Sequence, residues 1–119
     1  MTILVVDDSS VMRKIVIRSL RQAGYGDHDV VEAEDGAQAL EATRASTPDV
    51  VLSDWNMPNR SGLELVTALR AEGNEVPFGF VTSESTAEQF AAGIGAGAAF
   101  LLSKPFTADD LAASLNPIL

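Results

Sequence analysis

Short apolar runs alternate with stretches of helically spaced apolar residues along the whole chain, and this alternation is what most restricts its fold. Continuous apolar runs are typical of strands buried on both faces of a parallel sheet, with helices covering those faces. The predicted strands are residues 3–6, 29–33, 50–53, 77–82 and 98–102. Five βα units are too few for an eight-stranded barrel, so we predict an α/β fold with an open, doubly wound parallel sheet.

Capping residues and glycines indicate where the five intervening helices begin and end. Ser9 or Ser10 is suited to cap the first helix and Thr107 the last, because a hydroxyl group accepts a hydrogen bond from a free backbone N–H. Helical apolar spacing covers residues 11–20, 36–46, 63–69, 87–94 and 111–118. The expected helix ends are glycines, namely Gly24 and Gly26 for the first helix and Gly95 and Gly97 for the fourth.

The charge balance restricts the possible partners. The chain has 8 Lys and Arg against 17 Asp and Glu, which gives a formal net charge of −9. Such a chain is poorly suited to nucleic acid, whose phosphates are bound by Lys and Arg, so no nucleic-acid partner is expected. It also has no cysteine, which rules out disulfides, zinc–thiolate sites and thiol catalysis.

Length and hydropathy favour one cytoplasmic domain. The 119 residues suit a single core, and a hydrophobic content of 46% is too high for a disordered chain. The apolar run near the start is too short for a signal peptide, and no run approaches a membrane span. We expect a single domain over residues 1–119, with no output domain and no membrane partner.

Charged and hydroxyl side chains stand at the ends of four of the predicted strands. Because the carboxyl ends of parallel strands lie at one edge of a sheet, these side chains are expected to meet there. Each Asp, Ser or Thr alone also fits a helix cap or a turn, but their coincidence favours a site. The residues are Asp7 and Asp8 after strand 1, Asp54 after strand 3, Thr82 and Ser83 at strand 4, and Lys104 after strand 5.

Three crowded carboxylates predict a bound cation. Their repulsion is relieved by protonation or by a cation, and oxygen ligands without His or Cys favour Mg²⁺ over Ca²⁺. Lys104, the only basic residue after Arg70, adds a further positive charge. A carboxylate is a known nucleophile in aspartyl-phosphate formation. We therefore predict that Asp54 is phosphorylated, with Lys104 at the phosphoryl oxygens and Thr82 or Ser83 donating a hydrogen bond.

Four motifs resemble the receiver domain of bacterial two-component response regulators, and residues 53–65 are especially similar to the stand-alone chemotaxis regulators of the CheY type. The resemblance covers the whole chain and implies a flavodoxin-like sheet of order 2-1-3-4-5 with five helices. It also implies a signalling protein that accepts a phosphoryl group from a histidine kinase, with at most slow self-dephosphorylation. The motifs are Val5-Val6-Asp7-Asp8-Ser9, Ser53-Asp54-Trp55-Asn56-Met57-Pro58-Asn59, Val81-Thr82-Ser83 and Lys104-Pro105-Phe106.

The resemblance assigns a role to each site residue. Asp54 is the implied phosphoacceptor, Lys104 contacts the phosphoryl group, and the Lys104–Pro105 bond is expected to be cis. The implied Mg²⁺ ligands are Asp54, Asp8 directly, Asp7 through water and the backbone carbonyl of Asn56. The implied phosphoryl contacts at strand 4 are the switching hydroxyl of Thr82 and the backbone N–H of Ser83.

The chain departs from the family pattern at the output switch. Leu101 stands three residues before the lysine, where the family has Tyr or Phe, so Leu101 either swings between pockets or is a packed strand residue. The face formed by helix 4, strand 5 and helix 5 is also acidic and apolar instead of basic, which fits an apolar or basic output partner. Its acidic residues are Glu84, Glu88, Asp109 and Asp110.

A second docking surface is expected on helix 1. In the family this helix commonly docks the histidine kinase or a phosphotransfer protein. A solvated helix face is the alternative interpretation. The basic residues concerned are Arg13, Lys14, Arg18 and Arg21.

Two other functions fit part of the pattern. A receiver without an effector would act as a phosphate sink or relay, which Leu101 and the acidic output face favour. A haloacid-dehalogenase-type phosphohydrolase would share the sheet, the Mg²⁺ and the aspartyl phosphate. It needs an Asp-x-Asp after strand 1, and here Ser9 follows adjacent acids.

Overall fold

Five parallel strands form one sheet in the order β2-β1-β3-β4-β5, as predicted. The structure is a computed structural model that describes residues 1–83 and 85–119, so the acidic position Glu84 lies outside the described residues. The parallel pairing is continuous from β2 to β5. The strands are β1 (Thr2–Val6), β2 (Asp29–Ala33), β3 (Val50–Ser53), β4 (Phe78–Thr82) and β5 (Phe100–Ser103).

Helices connect the strands and begin at side-chain caps. Ser9 accepts a hydrogen bond from the N–H of Met12, and Thr107 caps the last helix with a reciprocal capping box. In the described residues no helix is both long enough and apolar enough to cross a membrane. The helices are α1 (Ser10–Leu20), α2 (Gly36–Ala45), α3 (Gly62–Ala71), α4 (Ala87–Ala96) and α5 (Ala108–Leu115).

Gly24, Gly26 and Gly97 lie at helix ends as expected, and Gly95 does not. Gly24, with φ of 99°, breaks the helical conformation within a π-helical turn that follows α1. Gly97, with φ of 112°, ends α4 in the left-handed conformation that glycine adopts without strain. The prediction that Gly95 ends this helix is wrong, because Gly95 lies inside α4.

The fifth strand begins two residues later than predicted. Ala98 lies beyond α4 but takes part in its C-terminal cap, because its N–H donates to the carbonyl of Gly93. Phe100 then pairs with Gly79 of β4, and a Cβ at Gly79 would lie 2.1 Å from the Phe100 ring. Gly79 therefore provides the space for this ring within β4.

The sheet separates two apolar clusters. Buried residues of α2 and α3 pack on one face, with Phe78 and Phe80 fully buried. Buried residues of α1 and α5 pack on the other face. Phe100 joins the second cluster and Leu101 the first, so these neighbours face opposite sides, as the strand period requires.

Candidate functional site

Three carboxylates meet at the carboxyl edge of the sheet. Val6 of β1 pairs with Ser53 of β3, so the residues that follow these strands are neighbours. Ligand oxygens of Asp7, Asp8 and Asp54 all lie within 4.8 Å of one another. Asp7 is 3% exposed, whereas Asp8 is open to solvent. The predicted convergence of the three acids is therefore present.

Lys104 reaches the carboxylates from the end of β5. Its Nζ lies 3.0 Å from Oδ2 of Asp7 and 3.8 Å from Oδ2 of Asp54. The backbone N–H of Lys104 donates to the carbonyl of Thr82 at 2.7 Å, which continues the pairing of β4 with β5. The Lys104–Pro105 peptide bond is cis, which confirms that expectation.

The backbone beside the site orients two of the carboxylates. Oδ1 of Asp7 accepts a hydrogen bond from the N–H of Ser9 at 2.9 Å, and Oδ1 of Asp54 accepts one from Trp55 at 2.8 Å. The Oδ2 atoms are the ones that face Lys104. Burial raises the pKa of Asp54, and the nearby Lys104 ammonium lowers it in part.

The loop after Asp54 is closed tightly by Gly62. The N–H of Gly62 donates to the carbonyl of Trp55 at 2.8 Å, and a Cβ on Gly62 would lie 2.1 Å from the carbonyl oxygen of Asp54. The hydroxyl of Ser53 donates to the same Asp54 carbonyl at 2.8 Å. Only glycine permits this approach, so Gly62 helps to fix the position of Asp54.

A hydrogen bond between Asn59 and Asp35, which sequence reasoning missed, joins this loop to the start of α2. Asp35 is 7% exposed and caps α2 by accepting a hydrogen bond from the N–H of Gln38 at 2.8 Å. Its other oxygen accepts one from Nδ2 of Asn59 at 2.7 Å, and Asn59 holds a left-handed φ of 67°. These bonds lower the pKa of Asp35, the Gln38 N–H being the larger cause. An Asp directly before a helix is a cap signal, but it does not reveal the Asn59 partner.

The remaining predicted residues lie around this edge with different exposures. Thr82, the last residue of β4, is 1% exposed and pairs with Ser103 of β5. Ser83 is exposed and borders the same surface hollow as Lys104. Asn56 is exposed, and Leu101 is half-buried and pairs with Phe80.

The expectation that Arg13 lies on the basic docking face of α1 is wrong. Arg13 is only 9% exposed and contacts the ends of β1 and β2. Lys14 and Arg18 remain exposed, so they carry the basic character of that face. The helical spacing that places Val16 and Leu20 in the core also turns Arg13 inward.

The donor set fits a hard divalent cation. It consists of carboxylate oxygens at one edge, one of them solvent-exposed, with no His or Cys in the cluster. Mg²⁺ prefers such oxygens and keeps several waters, which the open side at Asp8 accommodates.

These features, an order 2-1-3-4-5 sheet with an acidic triad and a lysine at its carboxyl edge, define a class of signalling proteins. A model of the response regulator receiver domain family matches residues 3–116, so the chain belongs to this family. Within it, the chain is of the CheY type. It is 39% identical over 122 residues to the chemotaxis protein CheY1 of Helicobacter pylori strain J99, covering 100% of this chain and 97% of that one.

Two further proteins are similar to this chain over nearly its whole length. The crystallised chemotaxis protein CheY4 of Vibrio cholerae has a TM-score of 0.86 at 35% identity, covering 99% of this chain and 98% of that chain. The transcriptional regulatory protein PrrA of Mycobacterium bovis is 39% identical over 98% of this chain, but the match spans only 49% of PrrA. The chain is therefore a phosphorylation-controlled receiver, a phosphoacceptor and not a catalytic enzyme, and a histidine kinase is its class of partner.

Proposed function

We propose that Asp54 accepts the phosphoryl group and that Asp7, Asp8, Asp54 and the carbonyl of Asn56 hold Mg²⁺. The observation that carries this proposal is the position of Lys104, which reaches both Asp7 and Asp54. A lysine between two carboxylates is placed to contact oxygens added to either of them. Of these two carboxylates, Asp54 is the acceptor, because its Oδ2 lies 3.8 Å from Nζ of Lys104, beyond hydrogen-bond distance. Oδ2 of Asp7, in contrast, is hydrogen-bonded to the same Nζ at 3.0 Å.

Charge supports this assignment. A phosphoryl group brings about −1.5 to −2 charges and three acceptor oxygens. Bound Mg²⁺ supplies positive charge that offsets those oxygens. Lys104 then pairs with a phosphoryl oxygen, while the hydroxyl of Thr82 and the N–H of Ser83 are the proposed donors at the end of β4.

The proposed switch runs from Thr82 to the output face. Leu101 stands on β5 with its side chain on the same sheet face as α3, next to Phe80. The α4 helix exposes Phe90 and Ile94, which are 52% and 38% accessible. We propose that an output protein docks on the face formed by α4, β5 and α5, and that this protein is apolar or basic where it contacts α4.

The proposed kinase-docking face lies on α1, which begins two residues after Asp8. Val11 and Ile15 are 64% and 45% exposed there, and Lys14 and Arg18 add positive charge. Reversing the charge of both basic residues is expected to slow phosphotransfer from a histidine kinase while leaving labelling by acetyl phosphate unchanged. Equal loss with both donors would contradict a docking role.

We propose a stand-alone, cytoplasmic chemotaxis-type role for a single domain over residues 1–119. The support is that the likeness to CheY1 extends over 97% of that chemotaxis protein. Beryllofluoride, which stands in for a phosphoryl group, tests the output. Amide shift changes that reach Leu101 and α4 support a docking output, whereas changes confined to the pocket favour a phosphate sink.

Labelling by acetyl phosphate tests the acceptor itself. Intact-mass spectrometry with Mg²⁺ is expected to show one phosphoryl group on the wild type and none on Asp54→Asn. Asp27→Asn is the matched control, because Asp27 is exposed in the turn between α1 and β2. Retention of the phosphoryl group by Asp54→Asn would overturn the assignment.

A further inference from the structure

Arg13 is the most buried basic residue in the part of the chain that the structure describes. Arg13 is 9% exposed, although the next residue along α1, Lys14, is exposed to solvent. A guanidinium is costly to bury unless its donors are bonded. Its partners therefore show what it does.

The guanidinium joins two strand ends. Nη1 donates to the backbone carbonyl of Asp7 at 2.7 Å, and Nε donates to Oε1 of Glu32 on β2 at 2.9 Å. The Glu32 side chain is 46% exposed, so this ion pair is partly solvated, while the bond to Asp7 is buried. The Asp7 contact is the one that links Arg13 to the carboxylate site.

The carbonyl of Asp7 and the N–H of Asp8 belong to one peptide plane. Holding that carbonyl restricts the orientation of this plane, from which the backbone continues into Asp8. Asp7 is held at its carbonyl by Arg13, at Oδ1 by Ser9 and at Oδ2 by Lys104. Asp8, in contrast, is exposed and depends on its backbone for its position.

We propose that Arg13 is a positioning residue for the metal site: it holds the Asp7–Asp8 peptide so that both carboxylates converge on Asp54, and Glu32 orients its guanidinium. The inference rests on the proposed Mg²⁺ site. Residues that orient metal ligands without touching the metal commonly change its affinity by about 10–100-fold. Arg13 thus acts through Asp7 and has no direct contact with the ion.

The test is a Mg²⁺ titration of the full chain followed by the fluorescence of Trp55, the sole tryptophan, which is next to Asp54. Arg13→Met keeps an apolar stem and removes the donors, and we expect about tenfold weaker Mg²⁺ binding. Arg13→Lys retains one donor for the Asp7 carbonyl and is expected to recover part of the affinity. Arg44→Met is the matched control, because Arg44 pairs with Glu72 at the surface, away from the site.

Unfolding midpoints measured without Mg²⁺ separate positioning from simple stabilisation. A lower midpoint for Arg13→Met with wild-type Mg²⁺ affinity would overturn the inference. If Arg13→Met does not fold, Arg13→Lys and Glu32→Gln decide: weaker Mg²⁺ binding by both supports the role, and wild-type affinity in both contradicts it. A flat titration of the wild type would instead overturn the proposed metal site, and this inference with it.

Discussion

The ammonium group of Lys104 lies 3.0 Å from a carboxylate oxygen of Asp7, although 97 positions separate the two residues in the sequence. Both side chains are largely buried, at 13% and 5% exposed. The pair spans the sheet edge from the end of β5 to the end of β1, so it neutralises one of three clustered acids in the metal-free protein. Removing either partner leaves a buried charge uncompensated.

Lys104→Gln is therefore expected to destabilise the metal-free protein by about 3 kcal/mol at neutral pH. Added Mg²⁺ should recover more stability in this variant than in the wild type, because the carboxylates regain a positive partner. Urea unfolding with chelator and with Mg²⁺ measures both effects. Equal stability of the variant and the wild type in chelator would show that the pair is not stabilising.

The raised pKa of Asp54 predicts that this acid destabilises the metal-free fold near neutral pH. Between its usual value of 3.8 and its higher folded value, the native state binds the proton more tightly than the unfolded state, so stability falls as pH rises. Asp54→Asn should be more stable than the wild type at pH 7, and the difference should shrink toward pH 4. Thermal unfolding in chelator across this range is the measurement, and Asp27→Asn should show no such gain.

The contribution of Asp35 to stability changes with pH in the opposite direction to that of Asp54. Its pKa is lowered, so its contribution is present above the usual value of 3.8 and is lost as pH falls through the folded value. Asp35→Ala removes a helix cap and should cost about 1 kcal/mol at pH 7. The cost should shrink in acid, as urea unfolding at pH 7 and below pH 4 would show. A cost that does not change with pH would contradict the role of the Asp35 charge.

The left-handed backbone of Asn59 is tested by two substitutions that both remove its hydrogen bond to Asp35. Asn59→Gly removes the amide but tolerates the φ of 67°, whereas Asn59→Ala also adds left-handed strain of roughly 1 kcal/mol. We expect Ala to be less stable than Gly by that amount in urea unfolding. Equal stabilities would mean that the loop relaxes out of this conformation.

Gly62→Ala and Gly95→Ala form a matched pair. A Cβ at Gly62 meets the Asp54 carbonyl at 2.1 Å, whereas one at Gly95 meets no atom within 4 Å. We expect Gly62→Ala to cost about 2–3 kcal/mol and to reduce acetyl phosphate labelling. Gly95→Ala should stabilise the protein by up to about 1 kcal/mol, because Ala favours a helix. Similar effects of the two changes would refute a special role for Gly62.

The sheet order, the helices and the convergence of Asp7, Asp8, Asp54 and Lys104 followed from strand pattern and the family motifs. The errors occurred where a local signal met a non-local contact. The fifth strand begins late because Ala98 closes the end of α4. Arg13 was misplaced because a charged residue on an amphipathic helix is usually solvated, and its buried partners come from other elements.

By itself, the sequence determined which chemical groups stand at the strand ends, because apolar runs and caps are local signals that position each element along the chain. Only the tertiary structure decided how those groups are held. The bond of Arg13 to the Asp7 carbonyl, the bond of Asn59 to Asp35 and the approach of Gly62 to Asp54 join separate elements. Their distances depend on how the strands and helices pack, which no local pattern specifies.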